Sequence, residues 1–331
     1  MQQAETLPNP IFVMGMNGSG TTMMLDCLGS HPEIFGYSME TLVLPHFIAT
    51  QAKFGDLDNT GNFKHLWDNL RRQPCFRYTN KGEAVPLPES WEALPRNIAT
   101  VIDQTFLYFA NRKQKQRWCE KTPQHAQHIA LLHAVFPEAC FIHMVRDGRS
   151  CAASFHRRWK YVPARTIYRW KNTIRAARRQ STACGAKYLE ICYEELVQNP
   201  AVEMSRVCEF LEIPYTDQVL TSSRSRFHTG SQNKAIKNVP QKWPQYFTSR
   251  EIAGLEQIAG QALIEFGYDS SLPEGDREPG VFALNIWLFR DYFAQGVRAV
   301  RNEFTLSKRD KWAGLSSRIV SAIKQWRMSK F

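Results

Sequence analysis

Short apolar segments alternate with longer segments of helical periodicity along most of this chain. The run Ile11 to Met14 predicts a strand buried on both faces, and residues 118–121, 139–145 and 187–192 predict three more strands. A helix follows each strand or precedes the next one, and the helical patterns cover 21–28, 91–116, 124–136, 149–159, 165–183 and 201–211. Residues 30–41 predict a loop, and a helix beyond it is predicted to be interrupted by Pro45. This alternation predicts an α/β fold with a mostly parallel sheet flanked by helices.

The sequence between the first strand and the first helix is rich in glycine. Gly15 and Gly20 occupy the glycine positions of the P-loop pattern G-x-x-x-x-G-K-[ST], and Thr22 occupies its Ser/Thr position. Thr21 stands where the pattern has the lysine that serves the β- and γ-phosphates of a triphosphate, which argues against a nucleoside kinase or ATPase. A strand, a glycine loop and a helix point several backbone N–H groups at one phosphate. We therefore predict a P-loop-type fold with a cradle for one phosphate, with an ordinary glycine-rich turn as the alternative.

A second candidate anion site follows the strand predicted at 139–145. Arg146 lies at the end of that strand, and Ser154 follows eight residues later, two turns into the next predicted helix. Ligands of open parallel sheets bind at the carboxyl ends of the strands, so both side chains are expected to face the glycine loop. Two adjacent anion sites suggest a nucleotide with two separate phosphates. Structural pairing of Arg146 with Asp147 or Glu138 is the alternative.

These motifs are similar to those of PAPS-dependent sulfotransferases, most closely the tyrosylprotein and bacterial members. PAPS is 3′-phosphoadenosine 5′-phosphosulfate, the sulfate donor, and the resemblance covers about residues 10–270. GMNGSGTTMMLDCLGSHP resembles the 5′-phosphosulfate loop, VRDGRSCAAS the 3′-phosphate element, YEELVQNP a strand end near the nucleotide, and IKNVPQKW a late basic loop. The donor-binding residues that the resemblance implies are Asn17, Gly18, Ser19, Gly20, Thr21, Thr22, Arg146, Ser154, Arg158, Tyr193 and Lys237.

The resemblance also implies catalytic residues. Glu40 lies in ETLVLP, where tyrosylprotein members carry their catalytic glutamate in an ETRVLP-like context, and it is the candidate general base. Lys121 of EKTP matches the lysine that stabilises the leaving phosphate oxygen, and Glu120 either orients Lys121 or is a second candidate base. No metal neutralises charge in this family, so side chains do so during an in-line transfer with a loose transition state. The predicted activity moves a sulfuryl group from PAPS to a hydroxyl of a carbohydrate, a peptide tyrosine or a lipid-linked acceptor.

The chain departs from the family pattern in two places. Gly18 stands where most members have Arg or Lys before SGTT, and Val43 or Leu42 replaces the arginine that follows the catalytic glutamate. The first departure leaves a second hypothesis open, a catalytically impaired homologue that binds the nucleotide as a scaffold. Simpler roles also stay open for two residues: Glu40 as a helix cap or solvated carboxylate, and Tyr193 as a core residue.

The net charge of +11 is concentrated near the end of the chain. Residues 281–331 contain ten Lys and Arg against three Asp and Glu, a net charge of +7, so the first 280 residues carry +4. A polar segment with Pro and Gly, 271–280, is the predicted linker between a P-loop domain (1–270) and a basic helical extension (281–331). The extension contains two amphipathic helical patterns, the second from Trp312 to Trp326. It is expected either to pack on the domain or to bind an anionic membrane surface or a partner.

Composition argues against several other classes of protein. The sequence has no stretch of 18 apolar residues, and its start lacks the basic and apolar regions of a secretory signal. A cytoplasmic protein is therefore expected, with attachment to the inner face of a membrane as an open alternative. The histidines and the eight scattered cysteines match no zinc spacing, so no metal is predicted. No DNA- or RNA-binding motif accompanies the basic residues, so a nucleic-acid partner is not expected.

Overall fold

The computed structural model describes residues 9–222, 234–235 and 243–305. The central sheet contains β1 (Ile11–Gly15), β2 (Ile34–Tyr37), β3 (Arg117–Lys121), β4 (Cys140–Val145) and β5 (Lys187–Cys192). The five strands are parallel and lie in the order β2-β3-β1-β4-β5. Two further strands of two residues each, β6 (Thr221–Ser222) and β7 (Lys234–Ala235), form a separate antiparallel pair. The predicted α/β fold with a mostly parallel sheet is confirmed.

Twelve α-helices lie among the described residues. Their bounds are α1 (Thr21–Ser30), α2 (Leu44–Thr50), α3 (Thr60–Arg71), α4 (Pro74–Thr79), α5 (Ile98–Asn111), α6 (Ile129–Val135), α7 (Gly148–Trp159), α8 (Pro163–Cys184), α9 (Tyr193–Gln198), α10 (Pro200–Phe210), α11 (Ser249–Glu265) and α12 (Val281–Thr305). Short 3₁₀ helices lie at Gln51–Phe54, Trp91–Ala93, Pro123–Gln127, Asp217–Leu220 and Trp243–Tyr246.

Helices cover both faces of the sheet, which explains why β1 and β4 are short, mostly apolar runs that are fully buried. Phe12 and Met14 of β1 belong to a core cluster formed with α3 and α5, while Ile11 and Val13 belong to a second cluster formed with α1 and α10. All four side chains are fully buried. Successive residues of a strand point to opposite faces, so a strand covered on both sides has no polar alternation.

The segment predicted as a linker is anchored on the body of the protein. Lys171 of α8 is fully buried, and its Nζ donates to Asp276 Oδ1 at 2.7 Å and to Glu278 Oε1 at 2.9 Å. Beyond this segment α12 packs on α8, where Asp291 accepts the backbone N–H of Val162 at 2.7 Å. The first helical pattern of the extension is a helix, and the second lies outside the described residues. The division of the chain at 270 and 280 stays a prediction.

Among the described helices, none is long and apolar enough to cross a membrane.

Candidate active site

The predicted phosphate loop connects β1 to α1 at the carboxyl end of the sheet. Gly20 directly precedes α1 with a φ of 100°, and no side chain caps the helix. The first N–H groups of α1 therefore have no partner within the helix, and the helix dipole favours an anion beside them. Ser19 is fully buried, and its Oγ has no hydrogen-bond partner among the described residues. The loop thus presents several unpaired donors at one point, as a phosphate cradle requires.

The other predicted loop residues differ in their exposure to solvent. Thr21 is buried, Thr22 is exposed, and Asn17 and Gly18 are half-buried. Their position at the start of α1 matches the sequence prediction, whereas their contacts with a nucleotide stay predictions.

Gly18 brings both residues of the second anion site against the loop. Its carbonyl oxygen accepts a hydrogen bond from Arg146 Nη1 at 3.0 Å, and a Cβ added to Gly18 would lie 3.6 Å from Cβ and Oγ of Ser154. The φ of Gly18 is 91°, so backbone strain rather than lack of space opposes a larger residue here. Gly18 itself supplies no charge, and Arg146 is a cation that contacts the loop from the end of β4.

Arg146 has no carboxylate partner among the described residues. Besides its hydrogen bond to the loop, its guanidinium carbon lies 4.1 Å from the centre of the Tyr193 ring. Its Nε is buried, and the described part of the chain gives it no hydrogen-bond partner. Trp170 Nε1 donates to the Arg146 carbonyl at 2.9 Å, which fixes the backbone at the end of β4. This arrangement leaves a half-buried positive charge and one N–H donor for an anion.

The acids that were alternative partners of Arg146 bind other cations. Asp147 caps α7 by accepting the Arg149 N–H at 2.7 Å, and its carboxylate pairs with the Arg149 guanidinium at 2.8 Å. Arg149 also pairs with Glu256 at 2.6 Å; burial would lower the pKa of Arg149, but its bonds to the two carboxylates outweigh burial and raise it. Glu138 pairs with a lysine of β5 at 2.9 Å. The N-terminus of α7 is thus closed by a carboxylate, whereas that of α1 is not.

Tyr193 begins α9, and its ring packs against both the loop and the core. A Cβ added to Gly20 would lie 2.6 Å from Cδ2 of the ring, and the ring also lies beside the cluster on the α1 face of the sheet. With Arg146 over it, the ring forms one side of the loop. Tyr193 therefore packs against the core and also lies at the candidate site.

The two predicted catalytic residues form an ion pair. Lys121 Nζ at the end of β3 donates to Glu40 Oε1 at 2.8 Å; the lysine side chain is buried, and that of Glu40 is one third exposed. Among the described residues, Oε2 of Glu40 has no partner. One carboxylate oxygen is thus fixed by the lysine while the other is available to accept a proton. Glu40 is thus paired with a lysine while its side chain stays partly exposed to solvent.

Glu120 ties the chain beside Glu40 to β3. Glu120 is fully buried, and its Oε1 accepts hydrogen bonds from Thr41 Oγ1 at 2.6 Å and from the Thr122 hydroxyl. The backbone N–H of Thr41 donates to Thr122 Oγ1 at 2.7 Å. Burial alone would raise the pKa of Glu120, but the nearby His125, at 3.1 Å, and the threonine hydrogen bonds lower it. A buried carboxylate engaged in this way suits the positioning of Glu40 and Lys121 better than proton transfer.

A model of the sulfotransferase family matches residues 10–217. The chain belongs to the sulfotransferase family. The match includes the glycine loop, Glu40, Lys121, Arg146 and Tyr193, and it ends before Lys237 and α12. The resemblance inferred from the motifs is confirmed.

Several sulfotransferases are similar to this chain over much of its length. Protein-tyrosine sulfotransferase A of Caenorhabditis elegans is 27% identical over 218 residues, which are 63% of this chain and 51% of that protein. A putative protein-tyrosine sulfotransferase of Caenorhabditis briggsae is 24% identical over 290 residues, 80% of this chain and 91% of that protein. Protein-tyrosine sulfotransferase 1 of Danio rerio is 28% identical over 217 residues, with 63% of this chain and 55% of that protein covered. The chain thus spans about half the length of the first and third of these relatives.

A solved structure supports the fold. The sulfotransferase domain from the Synechococcus PCC 7002 olefin synthase superposes with a TM-score of 0.56 at 22% identity, covering 82% of this chain and 98% of that domain.

Two further predicted donor-binding residues are Arg158 and Lys237. Arg158 lies one turn after Ser154 on α7, is exposed, and its guanidinium lies 6.0 Å from the ring centre of Trp159. Lys237 lies outside the described residues. In the ranges that the structure describes, no three His, Cys, Asp or Glu side chains lie close enough together to hold a metal.

Two contacts of the site were not predicted from the sequence. They are the Thr41–Glu120 hydrogen bond and the hydrogen bond from Trp170 to the Arg146 carbonyl. The position of Thr41 next to Glu40, and of Glu120 next to Lys121, was the available signal for the first contact. No local signal marks Trp170.

Proposed function

We propose that this sulfotransferase moves a sulfuryl group from PAPS to an acceptor hydroxyl. The observation that carries the proposal is an open phosphate loop beside Arg146, a half-buried cation without a carboxylate partner in the described ranges. A charged group that is partly removed from water is stabilised by an opposite charge, and a phosphate is the anion that an uncapped helix N-terminus and an arginine both favour. A donor with phosphate groups at two positions of one ribose suits two adjacent anion sites.

The donor-binding residues form two groups in this proposal. Asn17 to Thr22 would bind the 5′-phosphosulfate through backbone N–H groups and hydroxyls. The 3′-phosphate would be bound by Arg146, Ser154 and Arg158, with Tyr193 beside the nucleotide and Lys237 contributing a further positive charge near the phosphates. When bound, PAPS supplies an electrophilic sulfur and a bisphosphate leaving group.

The Glu40–Lys121 pair would perform the transfer. Glu40 Oε2 accepts the proton of the acceptor hydroxyl while the new O–S bond forms. Lys121 stabilises the negative charge that develops on the phosphate oxygen as the old S–O bond breaks. In this proposal the negative charge of Glu40 serves the hydroxyl proton and the positive charge of Lys121 serves the leaving phosphate oxygen, so the pair needs no metal.

The acceptor we propose to test first is a peptide tyrosine, because the relatives are named for a protein tyrosine. Carbohydrate and lipid-linked hydroxyls are the further classes to screen.

The test of the donor site is calorimetric binding of adenosine 3′,5′-bisphosphate. Arg146→Ala is expected to lose affinity by about 10- to 100-fold, since hydrogen bonds to charged groups contribute ~1.5–3 kcal/mol. The matched control is Arg112→Ala, because Arg112 also lies over a tyrosine ring, at 5.4 Å from its centre, but follows α5 at the opposite edge of the sheet. Absence of binding to the wild type, or equal losses in both variants, would overturn the proposed donor site.

The test of catalysis is sulfate transfer from PAPS by the wild type and Glu40→Gln. The variant is expected to bind the bisphosphate like the wild type while kcat falls by about 100-fold or more, as for loss of a general base. Binding without turnover on any acceptor class would favour the alternative that Gly18 raises, a nucleotide-binding scaffold with impaired catalysis.

A further inference from the structure

Helix α12 has apolar side chains on two opposite faces. Its inner face packs on the body, where Asp291 is buried and accepts hydrogen bonds from Val162 N and Arg165 Nη1 at 2.7 and 2.6 Å. On the same face Gln295 donates to the Tyr161 hydroxyl at 2.6 Å. The helix is therefore fixed by its inner face, and its outer face contributes nothing to this attachment.

The outer face contains a stripe of exposed apolar residues spaced by three or four positions. We call the following residues the outer stripe, with their exposed fractions: Phe282 (79%), Ile286 (42%), Phe289 (71%), Phe293 (66%) and Val297 (52%). Three large aromatic side chains in water on one helix face are an unusual apolar surface for a protein without a partner at that face.

The charge on the exposed face of α12 itself is positive. Between residues 281 and 297, all of which the structure describes, Arg290 is the only charged residue on the exposed face, and the single acid, Asp291, is buried on the inner face. The sequence from 281 to 331 has a net charge of +7. An exposed apolar face with aromatic residues, in a segment with an excess of positive charge, fits an anionic interface.

We propose that the outer stripe of α12 binds the surface of a membrane that contains anionic phospholipids. The phenylalanines would enter the boundary between headgroups and acyl chains, and the basic residues would contact lipid phosphates. The proposal goes beyond sulfuryl transfer and does not depend on it. It would bring the enzyme to one side of a membrane, in agreement with the expectation of a peripheral location.

Charge favours a lipid surface over a second copy of the chain. A symmetric pair joined through the outer stripe would associate two chains of net charge +11, and their repulsion opposes association. An anionic lipid surface neutralises the same charge. A second copy, or residues 306–331 of the same chain, would instead cover the stripe in the absence of lipid, and each is an outcome that the experiment detects.

The experiment is flotation of the full chain with vesicles of phosphatidylcholine alone or with roughly one third phosphatidylglycerol, an anionic lipid content that attracts basic segments. The wild type is expected to float with the anionic vesicles and to dissociate as salt is raised, because salt screens surface charge. Phe289→Ser with Phe293→Ser is expected to reduce binding by about tenfold or more, since burial of each phenylalanine contributes substantially.

A matched pair of single substitutions controls for general loss of apolar surface. Val297→Ser lies in the outer stripe and is expected to weaken binding by about two- to fourfold, as for loss of a small apolar group. Val202→Ser removes an exposed valine from α10, with an exposed fraction of 66%, and is expected to leave binding unchanged. Unaltered binding of adenosine 3′,5′-bisphosphate would show that the double phenylalanine variant remains folded; if no variant binds that nucleotide, its circular dichroism spectrum serves the same purpose.

Three results would overturn the proposal. The first is a wild type that does not float with anionic vesicles, and the second is equal flotation of the wild type and the double variant. The third is an outer stripe that is already covered without lipid, detected as a dimer that the double variant abolishes or as protection of the Phe289 and Phe293 side chains from hydroxyl-radical footprinting in the monomer.

Discussion

Two glycines of the phosphate loop lie where no larger residue fits. A Cβ on Gly15 would lie 2.4 Å from the Met144 carbonyl oxygen, and a Cβ on Gly20 would lie 2.6 Å from the Tyr193 ring. Both residues have a φ in the positive range. At the scale of single residues, the loop therefore depends on close contact between its backbone, β4 and the tyrosine that lies under Arg146.

Gly20→Ala is expected to weaken binding of adenosine 3′,5′-bisphosphate by about tenfold or more, because the new methyl group displaces the Tyr193 ring and with it the Arg146 guanidinium. Gly185→Ala is the matched control: Gly185 also has a positive φ, of 68°, but no atom lies within 4 Å of the added Cβ. Both variants carry a backbone strain of about 1–2 kcal/mol. Equal affinities of the two variants in calorimetry would contradict this account of the loop.

At the scale of elements, the site depends on the contact between the ends of β2 and β3. Tyr37 of β2 lies opposite Glu120 of β3, so the residues that follow each strand come together. The Thr41–Glu120 hydrogen bond then fixes the chain next to Glu40, and the ion pair with Lys121 fixes its carboxylate. Glu40 is thus oriented by one hydrogen bond and one ion pair, both to the end of β3.

Thr41→Val removes one of these connections while preserving the shape of the side chain. We expect kcat to fall by about tenfold with little change in KM for the donor, because small displacements of a catalytic group are costly when binding is unaffected. Thr41→Ser restores the hydroxyl and is expected to recover most of the activity. A valine variant with wild-type kcat, or a serine variant as impaired as valine, would exclude a positioning role for Thr41.

The sequence predicted β1, β3, β4 and β5 but not β2, which lies at one edge of the sheet. Apolar runs identified β1 and β4, whereas β2 has four residues, includes Gly36 and lies between polar positions, so it was predicted as part of a loop. Pro45 was predicted to interrupt a helix and lies instead in the first turn of α2, where its missing N–H has no partner to lose. The helix predicted from 124 begins as a 3₁₀ turn after Pro123, and α6 starts at Ile129.

The same limits apply to the candidate site. Motifs adjacent to strands predicted the loop and Arg146, because the ends of parallel strands meet at one edge. Glu40 and Lys121 were predicted from the family resemblance, and their ion pair was not predicted. The Thr41–Glu120 contact depends on the register of β2 against β3, and a sequence in which β2 is not recognised provides no register. Contacts between distant side chains, such as Trp170 with the Arg146 carbonyl, have no local pattern at all.

The contact between α5 and β3 predicts a pH dependence of stability. Asp103 of α5 is buried and accepts the Trp118 Nε1–H at 2.7 Å, and burial raises its pKa to about 6 from 3.8. The folded protein therefore retains a proton between about pH 4 and pH 6 that the unfolded chain releases, so Asp103 lowers stability as pH rises through this range. Relative to Asp103→Asn, the wild type is expected to lose up to about 3 kcal/mol of unfolding free energy between pH 4 and pH 7. Denaturant titrations of both proteins at several pH values measure the difference, and a constant difference would contradict the prediction.

At the scale of the whole molecule, ion pairs that include the buried Lys171 attach the later part of the chain to α8. Lys171 binds Asp276 and Glu278, and Arg175 binds Asp276 and Glu265. Burial would raise the pKa of Asp276, but the hydrogen bonds and charges of Lys171 and Arg175 lower it. These pairs determine where the segment before α12 lies, and α12 then presents its outer stripe to solvent.

Lys171→Met is expected to release this segment without unfolding the core. The methionine replaces the buried methylene groups of the lysine, while the two carboxylates lose their partner but remain partly exposed to water and still have Arg175 nearby. We therefore expect a modest loss of stability, about 1–2 kcal/mol, below the ~3–5 kcal/mol for breaking an ion pair in which both charges are buried. Lys187→Met is the matched control, since Lys187 pairs with Glu138 at 2.9 Å on the surface and contributes little. Hydrogen exchange should become faster at 271–280 in the Lys171 variant and remain unchanged in the control. Equal exchange in both variants would mean that the attachment of this segment depends on packing and not on the buried lysine.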